Sequence, residues 1–185
     1  MKDSKTILKK SAGIIIKAID KGGEMAETLG SLVDKLTIKN IREFYLNRMI
    51  SEKNGKFSVK ELKDKLALLK EQQRGLKKEV DDYLAAALKS GFVKRDEKLK
   101  LYNARKDMGR IRPTVLLGEA ISGLAEKNLE LWNLEDEARR KDVELSYIGG
   151  IKRKIDLCNQ QRNDYMDKID ELFAKKISAL KKPKG

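Results

Sequence analysis

The chain nearly repeats itself. Sliding it by 88 residues brings Leu29-Gly30 onto Leu117-Gly118, Val33 onto Ile121, Leu36 onto Leu124, Lys39-Asn40 onto Lys127-Asn128, Phe44 onto Trp132 and Leu46 onto Leu134. No gap is needed across residues 29–53. After the next turn a slide of 89 fits better. Val59, Leu62, Leu66, Leu69, Val80, Tyr83, Leu84 and Leu88 then meet Ile148, Ile151, Ile155, Cys158, Ile169, Leu172, Phe173 and Ile177, while Lys63, Lys65, Gln72, Asp81 and Ala85 meet identical residues. One added residue in the second turn explains the change. Keeping the slide at 88 superposes Gln72-Gln73-Arg74 on Gln160-Gln161-Arg162 but puts the apolar stripes out of phase, and burial is what sets register. Such self-similarity reads as one supersecondary unit used twice. Chance likeness between charged amphipathic helices is the alternative.

Apolar residues recur at steps of three and four almost throughout, which predicts helices at about 4–20, 25–54, 58–90, 96–109, 113–142 and 145–181. Breaks fall at Gly22-Gly23, Asn54-Gly55, Gly91 and Gly109 to Pro113. Ser58 with Glu61 has capping-box spacing, and Pro113 suits the first turn of the helix that follows. Helices of about 30 residues are roughly 45 Å long, and short turns between them favour antiparallel neighbours. One hairpin cannot cover its own apolar face, but two can bury theirs against each other. The expected fold is therefore all-α: an antiparallel four-helix core from two duplicated hairpins with pseudo-two-fold symmetry, plus an N-terminal helix and a short connecting helix. The boundaries are an N-terminal amphipathic helix (1–23), hairpin one (24–90), a basic connector (91–112) and hairpin two (113–182), with one shared core.

Composition limits the partners. The formal net charge is +13, and its placement matters more than its size. Residues 1–22 carry net +4, residues 89–113 net +6 and residues 174–185 net +5, so the rest of the chain is close to neutral. Solvated ends are the plain reading; a nucleic acid or an anionic lipid surface held by Coulomb attraction is the sharper one. The single Cys158 excludes an intrachain disulfide and points to a reducing, cytoplasmic setting. No apolar run is long enough to cross a bilayer. The N-terminal Ile14-Ile15-Ile16 stretch is too short for a secretory signal; it suits an amphipathic helix lying on the core, with a membrane-surface helix as the alternative.

Two stripes carry polar interruptions. One runs Leu117, Ile121, Leu124, Asn128, Trp132, Glu135, Arg139; the next runs Ile148, Ile151, Ile155, Cys158, Arg162, Tyr165, Ile169. A buried charge needs a partner, so Arg162 is expected to pair with Glu135, with Asn128 and Asn163 completing the hydrogen bonds. In the first copy Glu135 corresponds to Asn47 and Arg162 to Gln73, as though both charges had been neutralised together. The candidate ligand-binding layer is Asn128, Trp132, Glu135, Asp136, Arg139, Asp156, Asn159, Gln160, Arg162 and Asn163.

The stretch from Asn128 through Trp132, Glu135-Asp136 and Arg139, followed by Lys152-Arg153, Ile155-Asp156, Asn159-Gln160 and Arg162-Asn163-Asp164, resembles an uncharacterised bacterial family of helical proteins catalogued as a domain of unknown function. That family's pattern is Asn-x3-Trp-His-x-Glu-Asp, then Lys-Arg-x-Ile-Asp-x2-Asn-Gln-x-Arg-Asn-Asp. The likeness spans about 50 residues of the second copy. It departs at Asn133, where the pattern has His. The resemblance implies a helical fold and a weak contextual link to sugar-transfer enzymes of the bacterial envelope, and no known activity.

Several chemistries lack their residues. The chain contains no histidine, which removes imidazole-activated nucleophiles and imidazole metal ligation. One cysteine makes a zinc site improbable. No GxxxxGK[ST] or GxGxxG loop is present. Gly149-Gly150 ahead of Lys152-Arg153-Lys154 reads as a flexible turn, or else as a helix start able to hold an anion. Glu130, Glu135, Asp136 and Glu137, with Asp156 and Asp164, could gather around Mg²⁺; no other cofactor is assigned. Cys158 and Trp132, whose repeat partners are Leu69 and Phe44, read as core. The expected function is a non-enzymatic helical assembly or adaptor protein, a homo-oligomer, or a ligand-binding protein. The alternatives are a carboxylate enzyme acting on a phosphorylated or sugar substrate, and nucleic-acid or anionic-surface binding through the basic ends.

Overall fold

The helices begin and end where local chemistry allows. The computed structural model describes residues 26–52, 57–96 and 111–181; the expected helices at 4–20 and 96–109 lie outside them, apart from Asp96. Four helices are described: α1 (Leu29–Ser51), α2 (Val59–Ser90), α3 (Leu117–Glu137) and α4 (Leu145–Leu180). The fold is all-α. Among the described residues no helix is long and apolar enough to cross a membrane.

At the start of α2 the Ser58 hydroxyl accepts from the Glu61 N–H and Glu61 accepts from the Ser58 N–H at 2.9 Å, closing the expected capping box. The helix stops at Gly91, whose φ of 78° suits glycine and whose N–H bonds to the Ala87 carbonyl at 2.8 Å. Lys181, just beyond α4, lies over Gly91 and donates to the Lys89 carbonyl at 3.0 Å.

Three boundaries differ from expectation. α3 starts at Leu117, not around Pro113, because residues 111–116 run outside the helix and Thr114 donates to Glu119 across its first turn at 2.5 Å. It ends at Glu137 rather than near residue 142, where Arg140 turns back to bond Glu137 and Asp142. Gly149-Gly150, read as a flexible turn or else as a helix start, sits inside α4 and is neither.

α1 and α2 are antiparallel, as are α3 and α4, and each pair packs closely. Pairing of Asp34 with Asn128 and of Tyr45 with Asn133 shows α1 running parallel to α3. Pairing of Gly30 with Asp170 and of Asp34 with Arg162 shows it running antiparallel to α4. α1 therefore lies against both helices of the second hairpin. α2 packs mainly on α1 and touches α4 through Tyr83 and Phe173, whose ring centroids are 6.1 Å apart.

The core has two apolar clusters. The larger joins Leu29 and Leu32, Tyr83 and Ala87, Ala120 and Leu124, and Tyr165 to Ile177 from all four helices. The smaller joins Leu131 with Ile151, Ile155 and Cys158 in the second hairpin. Some stripe positions fall outside this core: Val59 and Leu88 are exposed, and fully buried Ala87 replaces Leu88 as the inward residue of the last turn of α2.

The closest helix approach is at Gly30. A Cβ there would come within 2.3 Å of the Met166 carbonyl oxygen. The Gly30 N–H instead donates at 2.7 Å to the buried carboxylate of Asp170, and Thr28 caps Ser31 beside it. Two N–H groups left open by helix geometry are thereby satisfied, and an anion sits at the positive end of α1. The repeat aligns Gly30 with Gly118 and Asp170 with Asp81. Yet a Cβ on Gly118 would meet nothing, and Asp81 is exposed. The tight contact made between α1 and α4 has no counterpart of like extent between α3 and α2.

Opposite effects are expected at these aligned glycines. Gly30→Ala should destabilise by about 1–3 kcal/mol, because α1 and α4 must separate. Gly118→Ala should stabilise by roughly 0.5–1 kcal/mol through helix propensity. Chemical denaturation of the two variants checks the difference in sign.

Candidate functional site

Between the two apolar clusters lies one polar layer, centred on Asp34 of α1. The Asp34 carboxylate is 4% exposed. It receives the Arg162 guanidinium as a fork, Nε donating to Oδ1 at 2.7 Å and Nη2 to Oδ2. Oδ1 also accepts from the Asn128 amide at 2.9 Å, and the same amide donates to the Thr37 hydroxyl at 2.7 Å. One carboxylate thus ties α1 to both α3 and α4. The bidentate geometry is the strong form of charge-assisted hydrogen bond. Arg162 is raised above its ordinary pKa by its hydrogen bond to Asp34, which outweighs its burial.

The expected partner of Arg162 was Glu135, and the structure corrects this. Across the α3–α4 pair Gly123 meets Tyr165 and Glu137 meets Tyr147, so Glu135 lies level with residues near 150. Arg162 is about 12 residues further along α4, a rise of roughly 18 Å. Glu135 instead faces Arg139, just past the end of α3, at 3.7 Å, and Asp136 bonds Arg139 at 3.0 Å, both near the surface. Asp156 is exposed; Asn159, Gln160 and Asn163 are half-buried and do not join the layer. Of the candidate residues, Asn128 and Arg162 come together, through a residue the sequence reading had not singled out.

The first hairpin holds a version with no arginine, in which a glutamine stands at the equivalent place. Gln73, aligned with Arg162, is buried and donates to Asn40 at 3.1 Å and to Glu43 at 2.8 Å. Asn40 is the residue aligned with Asn128. Asn47, aligned with Glu135, is exposed, so the paired neutralisation read from Asn47 and Gln73 has no contact behind it. Asp34 itself aligns with Ser122.

Beside this layer α1, α2 and α3 enclose an open groove of about 330 Å³. Its apolar walls are Tyr45, Leu46 and Met49 of α1, Leu68 and Leu69 of α2 and Trp132 of α3. Trp132 stacks on Tyr45 at 5.0 Å with the rings 20° apart, and the Tyr45 hydroxyl donates to Asn133 at 3.0 Å. The indole N–H is buried without an acceptor among the described residues. Phe44, expected as the core counterpart of Trp132, is exposed; Tyr45 takes that role. Cys158 is core, as expected. Its thiol is pushed up to about 11 by burial, with the Glu130 charge adding to the effect, and it lies 3.5 Å from the Lys127 carbonyl.

The carboxylates considered for Mg²⁺ do not converge. Glu130 pairs with Lys127, Glu137 with Arg140 and Tyr147, and Asp156 points to solvent. Among the described residues no group of three His, Cys, Asp or Glu side chains is placed to hold a metal ion.

Asp34→Ala leaves Arg162 and Asn128 facing the core without their acceptor. It should cost about 3 kcal/mol or more, whereas Glu135→Ala should stay within about 0.5 kcal/mol of wild type. The double change Asp34→Ser with Arg162→Gln should recover part of the loss, since it removes both charges together. Denaturant midpoints for the three variants read out the layer.

Comparison with known proteins places the second hairpin alone. No curated protein and no solved structure matches the chain. Residues 119–185 match a family described as protein of unknown function (DUF4254), so the likeness covers just over a third of the chain and takes in Asn128 and Arg162 but not Asp34.

Proposed function

We propose that this protein is a non-enzymatic helical assembly module, acting through its surface rather than through chemistry at its polar layer. The observation that carries this reading is that the charges of that layer are paired with each other. Asp34 satisfies both the Arg162 fork and the Asn128 amide at the junction of the two apolar clusters. A charge pair so engaged aligns helices, and the atoms that form its fork are spent on each other rather than on a substrate. Of the other candidate carboxylates, Glu130 pairs with Lys127, and Glu135, Asp136 and Glu137 pair with Arg139 and Arg140 just past the end of α3. Exposed apolar side chains give the other half of the argument. Leu68 lines the Trp132 groove where α2 and α3 fail to close on each other, and Leu129 is exposed one turn before Trp132 on α3; exposed apolar surface of this kind marks interaction sites.

The test has two arms. Sedimentation velocity across a range of concentrations should show association, to itself or to an added partner. Incubation with nucleotides and sugar phosphates plus Mg²⁺ should show no turnover. Turnover that disappears in Glu135→Ala would overturn the assignment.

A further inference from the structure

The groove between α1 and α2 is basic, and the helix beside it is acidic. Lys39, Arg42 and Lys65 rim the groove, and no carboxylate lines it. Lys39 bonds the neutral Gln72 at 2.5 Å, and Lys65 lies over the Phe57 ring at 4.5 Å with Glu61 one turn before it on the same helix. α3, by contrast, carries one lysine and six carboxylates; Glu130 pairs with Lys127, and Glu135, Asp136 and Glu137 pair with Arg139 and Arg140 just beyond its end, so the stretch 117–140 still has three more carboxylates than cations. Its outward line of Glu126, Leu129, Asn133 and Asp136 follows steps of three and four, which places them on one side of the helix. Leu129 is 45% exposed in the middle of that line.

The two surfaces are neighbours. Trp132 forms a wall of the groove, and Asn133 in the acidic line accepts from Tyr45 in the groove. They also match in length. Lys39 to Met49 and Glu126 to Asp136 each span about 15 Å of helix. Complementary patches lying side by side on one face are what an isologous contact needs. A two-fold axis through their border sets each acidic line over the other copy's basic groove.

We infer that the groove is the docking site for α3 of a second copy of this chain, giving a two-fold dimer in which Leu129 enters between Leu46, Met49 and Leu68. This rests on the assembly reading and names its partner. Charged rims around an apolar centre give such a contact register and speed. The dimer also supplies α2 with the α3 neighbour that it lacks within its own chain.

The experiment is a charge exchange. Arg42→Glu with Lys65→Glu makes the groove acidic, and Glu126→Arg with Asp136→Arg makes the α3 line basic. All four side chains are exposed, and circular dichroism should confirm unchanged helix content. Wild type should sediment as a dimer that loosens with added salt. Each double variant alone should associate at least tenfold more weakly, and the two mixed should recover a heterodimer, because both contacts are then complementary again. A wild-type chain that stays monomeric and binds no partner overturns this inference and the assembly reading together. A monomeric chain that captures a different protein, or a dimer indifferent to both charge reversals, overturns the inference and leaves assembly standing.

Discussion

Three helices meet on the carboxylate of Asp34. Its two oxygens take the Arg162 fork from α4 and the Asn128 amide from α3, while the residue itself belongs to α1. Without it, the middle of the contact between the hairpins would be apolar, and apolar contacts tolerate sliding by a turn. A forked ion pair between two helices does not, because both of its hydrogen bonds fail together when the register shifts. The layer sits where the larger apolar cluster gives way to the smaller one. It specifies alignment, and the clusters on either side supply most of the burial. A second polar anchor, Gly30 against Asp170, fixes the same pair of helices from the other end of the contact.

The two anchors also account for the lopsided shape. Residues equivalent by the repeat are present in the other half: Gly118 for Gly30 and Asp81 for Asp170. Ser122 stands where Asp34 does, however, and cannot supply a charge. Gln73, standing for Arg162, has turned inward to its own hairpin and bonds Asn40 and Glu43. The interaction that would draw α3 onto α2 is therefore missing one partner and has lost the other, and α2 stays away from α3. The groove lined by Trp132 is the geometric residue of that difference.

Much of this architecture could be read from the residues. Helix periodicity, the Ser58–Glu61 box and the stop at Gly91 are local properties and emerged correctly. So did the inward placement of Asn128, Arg162 and Cys158. What failed was the choice of partners across helices. Glu135 was matched to Arg162 by charge, although counting outward from the turn near residue 142 puts Glu135 opposite residues near 150. That register rule was available in the sequence and would have removed the pairing. Asp34 was harder to find. It lies between Leu32, Val33 and Leu36, and only its repeat of the spacing Gly30, Asp34, Thr37 along one face marks it as inward. Its partners are 94 and 128 residues away, a separation that no local pattern encodes. The repeat names Phe44 as the equivalent of Trp132 but not Tyr45 as the ring that touches it, because alignment of a repeat compares equivalent positions rather than touching ones.

The boundary of the recognised family segment, residues 119–185, leaves Asp34 on the other side of the cut. A piece excised at that boundary would carry Arg162 and Asn128 with nothing to answer them, and would bare Tyr165, Ile169 and Phe173 to water. The stretch that carries the sequence signature is thus smaller than the cooperative unit that folds. In this chain the matched segment leans on a carboxylate supplied from outside it, by the helix that carries Asp34.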